Sequence, residues 1–196
     1  MENRIASVTR NTKETQISVT INIDGKGTSD ISTGIGFFDH MLEGFAKHGF
    51  FDLTVKVKGD LNVDGHHTVE DTAIVLGQAF AEAIGDKKGI KRYGDRILPM
   101  DETLVMCAVD LCGRPYLVMD AGFESPMVGD FDTQLVREFF YSFSYAAMIN
   151  LHLRVITGYN DHHKIEAMFK AMAKALDEAT TYDERIIDVL STKGAL

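Results

Sequence analysis

Two histidine pairs are the residues of this sequence whose types and spacing are best suited to chemistry. The first pair stands in DGHHTVED, which begins at Asp64, and the second in NDHHKIEA, which begins at Asn160. In each motif a glutamate stands three positions after the second histidine. Imidazole nitrogens combined with carboxylate oxygens are typical ligands of manganese, iron and zinc. The repeated HHxxE motif therefore indicates metal binding.

Each motif opens a run of apolar residues with helical spacing. On a helix, a histidine and a glutamate three or four residues apart lie on one face and can hold the same ion. Adjacent histidines diverge by about 100°. We therefore expect neighbours such as His66 and His67 to serve different ions, so that the duplicated motif supplies two metal sites.

The alternative reading is a solvated surface feature, which is the commoner fate of one histidine pair near the start of a helix. Two observations favour metal binding. The pair occurs twice with its glutamate at the same offset, and a further imidazole, His40, stands in FFDHML.

The similarity between the two motifs extends to the segments before them, as a duplication of the whole fold requires. Residues 40–57 align without gaps with residues 138–155. Residues 14–25 align in the same way with residues 102–113. Because the segments follow one another in the same order, we interpret the chain as an internal duplication whose halves meet near residues 92–96.

We predict two similar α+β half-domains, residues 1–94 and 95–196, packed as one unit with a C-terminal tail at 183–196. Each half contains an alternating strand, a second extended segment, a helix, another strand and a long helix. Such halves form a small mixed sheet with two helices on one face. In the order of the chain, the predicted elements other than the alternating strands are 4–11, 37–48, 51–59, 67–85, 115–122, 131–149, 150–158 and 163–180.

The composition indicates a soluble cytoplasmic protein. The formal net charge of -9 and the pI of about 5.2 argue against nucleic acid or a membrane surface as a partner. No apolar run approaches the length of a membrane span, and we expect no signal peptide because residues 1–14 lack its apolar region. Its cysteines, Cys107 and Cys112, are five residues apart on an apparent strand, which places them on opposite faces and argues against a disulfide.

Five motifs together resemble the imidazoleglycerol-phosphate dehydratase family of histidine biosynthesis: GIGFFDHML, DGHHTVEDTAIVLGQA, GRPY, NDHHKIEAMFKAMAKAL and the terminal STKG. The resemblance runs in order over essentially the whole chain. It implies two half-domains related by pseudo-twofold symmetry, of the ribosomal protein S5 domain 2 type. It also implies a homo-oligomeric shell of 24 subunits, with metal sites at the interfaces between subunits.

The resemblance implies two Mn²⁺ ions, or other divalent transition metals, for each subunit. One site would take His40, His67, Glu70 and His162, and the other His66, Glu138, His163 and Glu166. Some members of the family have histidine where this chain has Glu138, and the alignment of the halves makes Glu138 the counterpart of His40. A carboxylate is still a competent ligand. The alternative is a surface glutamate.

The implied reaction removes water from imidazole glycerol phosphate and yields imidazole acetol phosphate. The proton to be lost sits on a carbon with no adjacent carbonyl, so two metals on the imidazole nitrogens would activate the ring. Glu14 matches the family's candidate for the general acid/base and would contact the substrate; alternatively, it is a solvated glutamate at a strand edge. The other residues expected at the substrate and its phosphate are His48, Arg92, Arg114, Lys170, Ser191 and Lys193.

We expect the C-terminal tail to close over the phosphate when substrate binds. Two other functions remain open from the sequence. A dinuclear metallohydrolase would need carboxylates that bridge two close ions, and a non-catalytic metal-binding scaffold would not need the acid/base and phosphate residues together.

Overall fold

The computed structural model describes residues 3–196. Its first half contains a four-stranded sheet of order β1-β2-β4-β3 and two helices. β3 is parallel to β4, whereas the other neighbours are antiparallel, so the sheet is mixed. The elements are β1 (Ile5–Asn11), β2 (Thr15–Asn22), β3 (Ser29–Ser32), α1 (Gly36–Gly49), β4 (Asp52–Gly59) and α2 (His66–Ile84).

The second half repeats this arrangement. Its sheet has the order β5-β6-β10-β7, and β7 is parallel to β10 in the same way. A short hairpin, β8–β9, is added before the third helix. The elements are β5 (Tyr93–Met100), β6 (Thr103–Asp110), β7 (Tyr116–Asp120), β8 (Met127–Val128), β9 (Phe131–Asp132), α3 (Gln134–Ala146), β10 (Asn150–Thr157) and α4 (Asp161–Thr180). The predicted duplication and the α+β fold class are confirmed.

The prediction for the second extended segment of each half was incomplete. Residues 4–11 and 115–122 do form strands, β1 and β7, but they occupy opposite edges of their sheets. The strands that match them, β5 and β3, were not predicted. β3 has only four residues, one of them apolar, and β5 contains Pro99, which is tolerated because β5 is an edge strand. β5 begins two residues before the predicted start of the second half.

The central strands have one buried face, as their alternation predicts. In β2, the side chains of Ile17, Val19 and Ile21 are buried, and those between them are exposed or half-buried. β6 repeats this pattern from Thr103 to Asp110. Because period-2 alternation turns every apolar residue to one side, each sheet presents a single apolar face to its helices.

The helices pack between the two sheets and join the halves. α1 packs against α4, and α2 packs against α3. Phe45 and Phe143, which the alignment of the halves pairs, are fully buried, and their ring centroids are 6.3 Å apart. Gly77 of α2 lies so close to the carbonyl of Phe143 that a Cβ atom there would overlap it. The duplication has therefore produced one shared core.

The C-terminal tail carries no helix or strand, yet part of it is held against the loop between α2 and β5. The amide of Gly89 donates to the carbonyl of Asp188 at 3.2 Å, and the amide of Asp183 donates to the carbonyl of Gly89 at 2.9 Å. Within residues 3–196, no helix is long and apolar enough to cross a membrane.

Candidate functional site

The first cluster of metal-ligating side chains lies where α1 packs against α4. It consists of His40, His162 and Glu166, whose ligand atoms all lie within 4.8 Å of one another. Glu166 Oε2 is 3.0 Å from His162 Nε2 and 3.4 Å from His40 Nε2. The side chain of Asn160 accepts hydrogen bonds from the first amides of α4 and fixes where the helix begins. Helical spacing then places His162 and Glu166 on one face.

Two basic groups adjoin this first cluster. Lys170 Nζ is 2.5 Å from Glu166 Oε1, one helical turn along α4. Burial opposes ionisation of Glu166, but the hydrogen bond and the charge of Lys170 outweigh it and hold its pKa below the usual value. His48, in the last turn of α1, has its pKa lowered by burial and then by the charges of Lys170 and Lys174. The first cluster thus combines one carboxylate with a neighbouring ammonium group.

The second cluster lies where α2 packs against α3. It consists of His66, Glu70 and Glu138, again with ligand atoms within 4.8 Å of one another. His66 Nε2 is 3.9 Å from Glu70 Oε2, and Ser142 Oγ is 3.2 Å from Glu138 Oε1. The duplication makes this cluster the equivalent of the first, with Glu138 in the place of His40. It therefore holds two carboxylates and one imidazole.

Within one chain, the two glutamates are grouped differently from the division that the resemblance implies. Glu166 lies beside His40 and His162, and Glu70 lies with the second cluster. This grouping uses the i, i+4 pair that starts at the first histidine of each motif. The division of the ligands between sites shared by neighbouring subunits stays a prediction. The sequence allowed both the i+3 and the i+4 spacing and did not decide between them.

The second histidine of each pair points away from these clusters. The ring planes of His66 and His67 are 88° apart with centroids separated by 6.2 Å, and those of His162 and His163 are 84° apart at 6.1 Å. Neither His67 nor His163 belongs to a three-residue cluster within residues 3–196. This agrees with the expectation that adjacent histidines serve different ions.

His67 is held between two carboxylates of the first half. Its Nδ1 is 3.0 Å from Asp60 Oδ2, and its Nε2 is 3.9 Å from Glu14 Oε1. The hydrogen bond to Asp60 raises the pKa of His67. Glu14 itself lies at the turn between β1 and β2, with 55% of its side chain exposed. It lines a recess of about 270 Å³ together with Lys58 and Asp60.

His163 is held in a similar way in the second half. Its Nδ1 is 2.8 Å from Glu102 Oε2, and its Nε2 is 3.6 Å from Asp101 Oδ2. Glu102 also accepts a hydrogen bond from the amide of Asn160 at 2.9 Å. These contacts, of which the amide of Asn160 has the largest effect and His163 the next, lower the pKa of Glu102 to about 2.

The remaining predicted phosphate residues lie together near the C-terminus. Arg92 donates to both oxygens of Asp110, at 2.7 and 3.0 Å, and to the carbonyl of Leu190 at 2.7 Å. Ser191 lines the adjoining recess of about 700 Å³. Lys193 is exposed at the end of the tail, and the residue before Arg114, Gly113, lies against the C-terminal residue.

Comparison with known proteins identifies the family. The sequence model of imidazoleglycerol-phosphate dehydratase matches residues 33–176. The chain belongs to the imidazoleglycerol-phosphate dehydratase family. It is 61% identical to the imidazoleglycerol-phosphate dehydratase of Lachnoclostridium phytofermentans over 194 residues, which cover 99% of each chain. It is 55% identical to that of Clostridium botulinum over the full length of both.

Solved structures of the family have the same fold. The dehydratase of Staphylococcus aureus superposes with a TM-score of 0.83 at 42% identity, covering 91% of this chain and 99% of the other. That of Pyrococcus furiosus gives a TM-score of 0.83 at 35% identity, covering 96% of this chain and 100% of the other. Its relatives make this chain a hydro-lyase of histidine biosynthesis, and the expected resemblance to imidazoleglycerol-phosphate dehydratases is confirmed.

Within one chain, the predicted dehydratase residues do not form one site. His48 and Lys170 adjoin the first cluster, whereas Arg92 lies at the far end of α4, where its amide donates to the carbonyl of Ala179. At 1.5 Å for each helical residue, Ala179 lies about 24 Å along α4 from His163. The phosphate residues near the tail are therefore remote from the histidines of the same chain.

Sequence reasoning missed Asp60 and assigned no role to Glu102 beyond its relation to Glu14. Asp60 stands in the loop after β4, where hydrophobic periodicity carries no information. The contact between its carboxylate and His67 depends on how that loop folds back on the first turn of α2. No spacing in the sequence could have predicted it.

Proposed function

We propose that this chain dehydrates imidazole glycerol phosphate to imidazole acetol phosphate with two divalent metal ions, of which Mn²⁺ is the first choice. The single observation that supports the metal dependence best is the pair of equivalent histidine–carboxylate clusters, one at each junction between the halves. We also propose that the reaction takes place in the cytoplasm.

The donor sets fit such ions. His40, His162 and Glu166 would hold one ion, and the second cluster would hold the other. Mixed nitrogen and oxygen ligands without thiolates suit Mn²⁺. Once bound, the ions would supply Lewis acidity and a template for the imidazole ring of the substrate. His67 and His163, which lie outside both clusters in their own chain, would each complete a site from a neighbouring subunit.

Glu14 is proposed as the general acid/base. Its carboxylate is largely exposed and faces the Nε2 side of His67, so it is accessible to a substrate bound beside that histidine. A carboxyl group in this place can protonate the leaving hydroxyl group when it is in its acid form, or accept the proton from carbon when it is ionised. Glu102, its counterpart in the duplication, could not do so, because its oxygens already accept hydrogen bonds from His163 and from backbone amides.

Two groups of residues are proposed to bind the phosphate. Lys170 and His48 lie beside the first cluster, and Arg92, Arg114, Ser191 and Lys193 lie near the tail. Arg92 is fixed by Asp110 and by the carbonyl of Leu190, so its guanidinium is already oriented before the phosphate arrives. Charge-assisted hydrogen bonds of this kind are the strong ones in phosphate recognition.

Separation of these groups within one chain supports an assembled active site. Residues about 24 Å apart along α4 cannot contact one small substrate, so residues from different copies would have to meet. We propose a homo-oligomer with the active sites at its interfaces, and we keep the expectation of 24 subunits. A dinuclear hydrolase is less well supported, because within residues 3–196 the two clusters share no carboxylate that could bridge their ions.

The test is an assay of the protein after loading with Mn²⁺, with imidazole glycerol phosphate as the substrate. We expect the enol or ketone form of imidazole acetol phosphate as the product and no release of inorganic phosphate. Glu14→Gln is the matched control, because it keeps the metal ligands. Release of phosphate, or no product from fully loaded wild-type protein, would contradict the proposal.

A further inference from the structure

We infer that Asp60 and Glu102 are positioning residues that orient His67 and His163 for metal binding. This inference rests on the proposed function, because it concerns ions held by these histidines. In both halves the carboxylate occupies Nδ1 of the ring, at 3.0 Å for Asp60 and 2.8 Å for Glu102. Nε2 is thereby left as the ring atom that is free to bind an ion.

The two carboxylates come from different places in the duplicated fold. Asp60 stands in the loop after β4, whereas Glu102 stands in the turn between β5 and β6. The counterpart of Glu102 in the first half is Glu14, which faces Nε2 of His67 and not Nδ1. After β10, where a counterpart of Asp60 would lie, the chain reads Gly158 and Tyr159. Simple inheritance from the duplication therefore does not explain the shared contact.

The physical effect of such a contact is well defined. A carboxylate that accepts the Nδ1–H bond selects the tautomer whose Nε2 carries a free lone pair, and it fixes the direction of the ring. It also makes the imidazole a better electron donor to a metal. Both carboxylates are mostly shielded from water, with 23% of the Asp60 side chain and 21% of the Glu102 side chain exposed.

Glu102 is itself held in place. Its Oε1 accepts hydrogen bonds from the amides of Asn160 at 2.9 Å and Tyr159 at 3.3 Å, just before α4 begins. The same carboxylate thus connects the turn between β5 and β6 to the start of α4 and to His163. For this reason, removal of the whole side chain could disturb the fold, and Glu102→Gln, which keeps an acceptor oxygen, is the informative variant.

The experiment is a titration of the metal-free protein with Mn²⁺, in which free Mn²⁺ is counted by electron paramagnetic resonance. We expect Asp60→Asn and Glu102→Gln each to lower the affinity for one of the two Mn²⁺ ions by about 10-fold to 100-fold. The other ion should keep its wild-type affinity. The double variant should bind both ions with lower affinity. The melting temperature of each metal-free variant should match that of the wild type, which separates positioning from a structural role.

Asp64→Asn is the matched control. Asp64 is closer in the sequence to the first histidine pair than Asp60 is. Its side chain accepts a hydrogen bond from the amide of His66 at 2.8 Å, and the side-chain oxygen of an asparagine can accept the same bond. This control removes one negative charge and leaves Nδ1 of His67 untouched, so both affinities should stay at the wild-type level.

Two results would overturn the inference. If wild-type protein binds two Mn²⁺ ions and the Asp60 and Glu102 variants bind both with unchanged affinity, the positioning role fails and the proposed function stands. Loss of affinity in Asp64→Asn equal to that in Asp60→Asn would show that charge alone matters. Wild-type protein that binds no Mn²⁺ would instead refute the metal-dependent function itself.

Discussion

The turn between β1 and β2 and the turn between β5 and β6 occupy equivalent places in the two halves, yet their glutamates differ. Glu14 has 55% of its side chain exposed and lies 3.9 Å from the nearest histidine nitrogen. Glu102 has 21% exposed and makes a 2.8 Å contact to His163 as well as contacts to backbone amides. One carboxylate is exposed, and the other is held by hydrogen bonds within the structure.

Asp60 explains how this difference is possible. In the first half Asp60 occupies Nδ1 of His67, the position that Glu102 occupies on His163. Glu14 is therefore not needed to orient a histidine. The carboxylate beside Nδ1 of the histidine thus comes from the loop after β4 in the first half, and Glu14 is left exposed.

The two clusters of candidate metal ligands show a second difference between the halves. The first has one carboxylate, and Lys170 lies 2.5 Å from it. The second has two carboxylates, Glu70 and Glu138, and the position in α2 that corresponds to Lys170 is Ile74. We therefore expect the second cluster to attract a divalent cation more strongly than the first, because its charge is more negative.

Among the variants that test whether Glu14 and Glu102 differ in role, Glu14→Gln is expected to have the largest effect on turnover. If Glu14 transfers a proton, this variant should lose about 10²-fold to 10⁴-fold in kcat. Its Mn²⁺ content and melting temperature should not change. Steady-state kinetics on fully loaded protein measure this loss, with Glu102→Gln at saturating Mn²⁺ as the control. Equal losses in the two variants would show that the halves have not diverged in this way.

The tail belongs to the second half alone, and its removal is expected to have the next largest effect. Truncation after Val189 deletes Ser191 and Lys193 and the carbonyl of Leu190 that orients Arg92. A hydrogen bond to a charged group contributes about 1.5–3 kcal/mol, so kcat/KM should fall by about 10-fold to 100-fold. Metal content and assembly should be unchanged. A truncated enzyme with full kcat/KM would show that the tail does not contact the phosphate.

Because the tail is already held as far as Leu190, any ordering upon substrate binding would be confined to the last six residues. Limited proteolysis with and without substrate can locate it. If substrate protects only the residues after Leu190 from proteolysis, the result would agree with ordering confined to the end of the tail.

A smaller effect, on the free energy of unfolding, is expected at the start of β4. There a residue accepts hydrogen bonds, whereas its counterpart at the start of β10 donates one. Asp52 begins β4 and accepts hydrogen bonds from Lys26 and Thr28, whereas Asn150, its counterpart in β10, donates to the carbonyl of Arg114. The hydroxyl of Thr28 and then the amides of Lys26 and Thr28 lower the pKa of Asp52 from 3.8 to about 2.

The pH dependence of the contribution of Asp52 follows from the sign of this shift. Because the folded-state pKa is below the unfolded value, the stabilisation is present above about pH 3.8 and is lost as the pH falls through about 2. Asp52→Asn should therefore cost about 1–2 kcal/mol of unfolding free energy at pH 7, after allowance for solvent screening, and little near pH 2. Denaturant unfolding of metal-free protein at several pH values measures this. A cost that does not depend on pH would contradict it.

Much of the fold follows from the sequence because the helices and central strands have strong periodicity. The predicted ends of α1, α2 and α4 lie within two residues of those observed. The start of α3 was placed three residues too early, because the β8–β9 hairpin occupies Phe131 and Asp132. Short edge strands such as β3 carry too few apolar residues to be recognised.

The candidate site was predictable only in part, and for a different reason. Residue types and the repeat predicted the candidate ligands, and the divergence of adjacent histidines predicted that the rings of His66 and His67 point in different directions. The grouping of Glu70 and Glu166 required the actual packing of α1 on α4 and of α2 on α3, which local spacing does not specify. Contacts made by loops, such as that between Asp60 and His67, are still less predictable from the sequence.

The central claim is that each half of the duplicated fold contributes to two separate metal sites. Elemental analysis of protein dialysed after loading with Mn²⁺ tests this most directly. The wild type should hold about two ions for each chain, and His67→Ala and His163→Ala should each lose about one while the other remains. A single ion for each chain, lost completely in either variant, would contradict the two-site account.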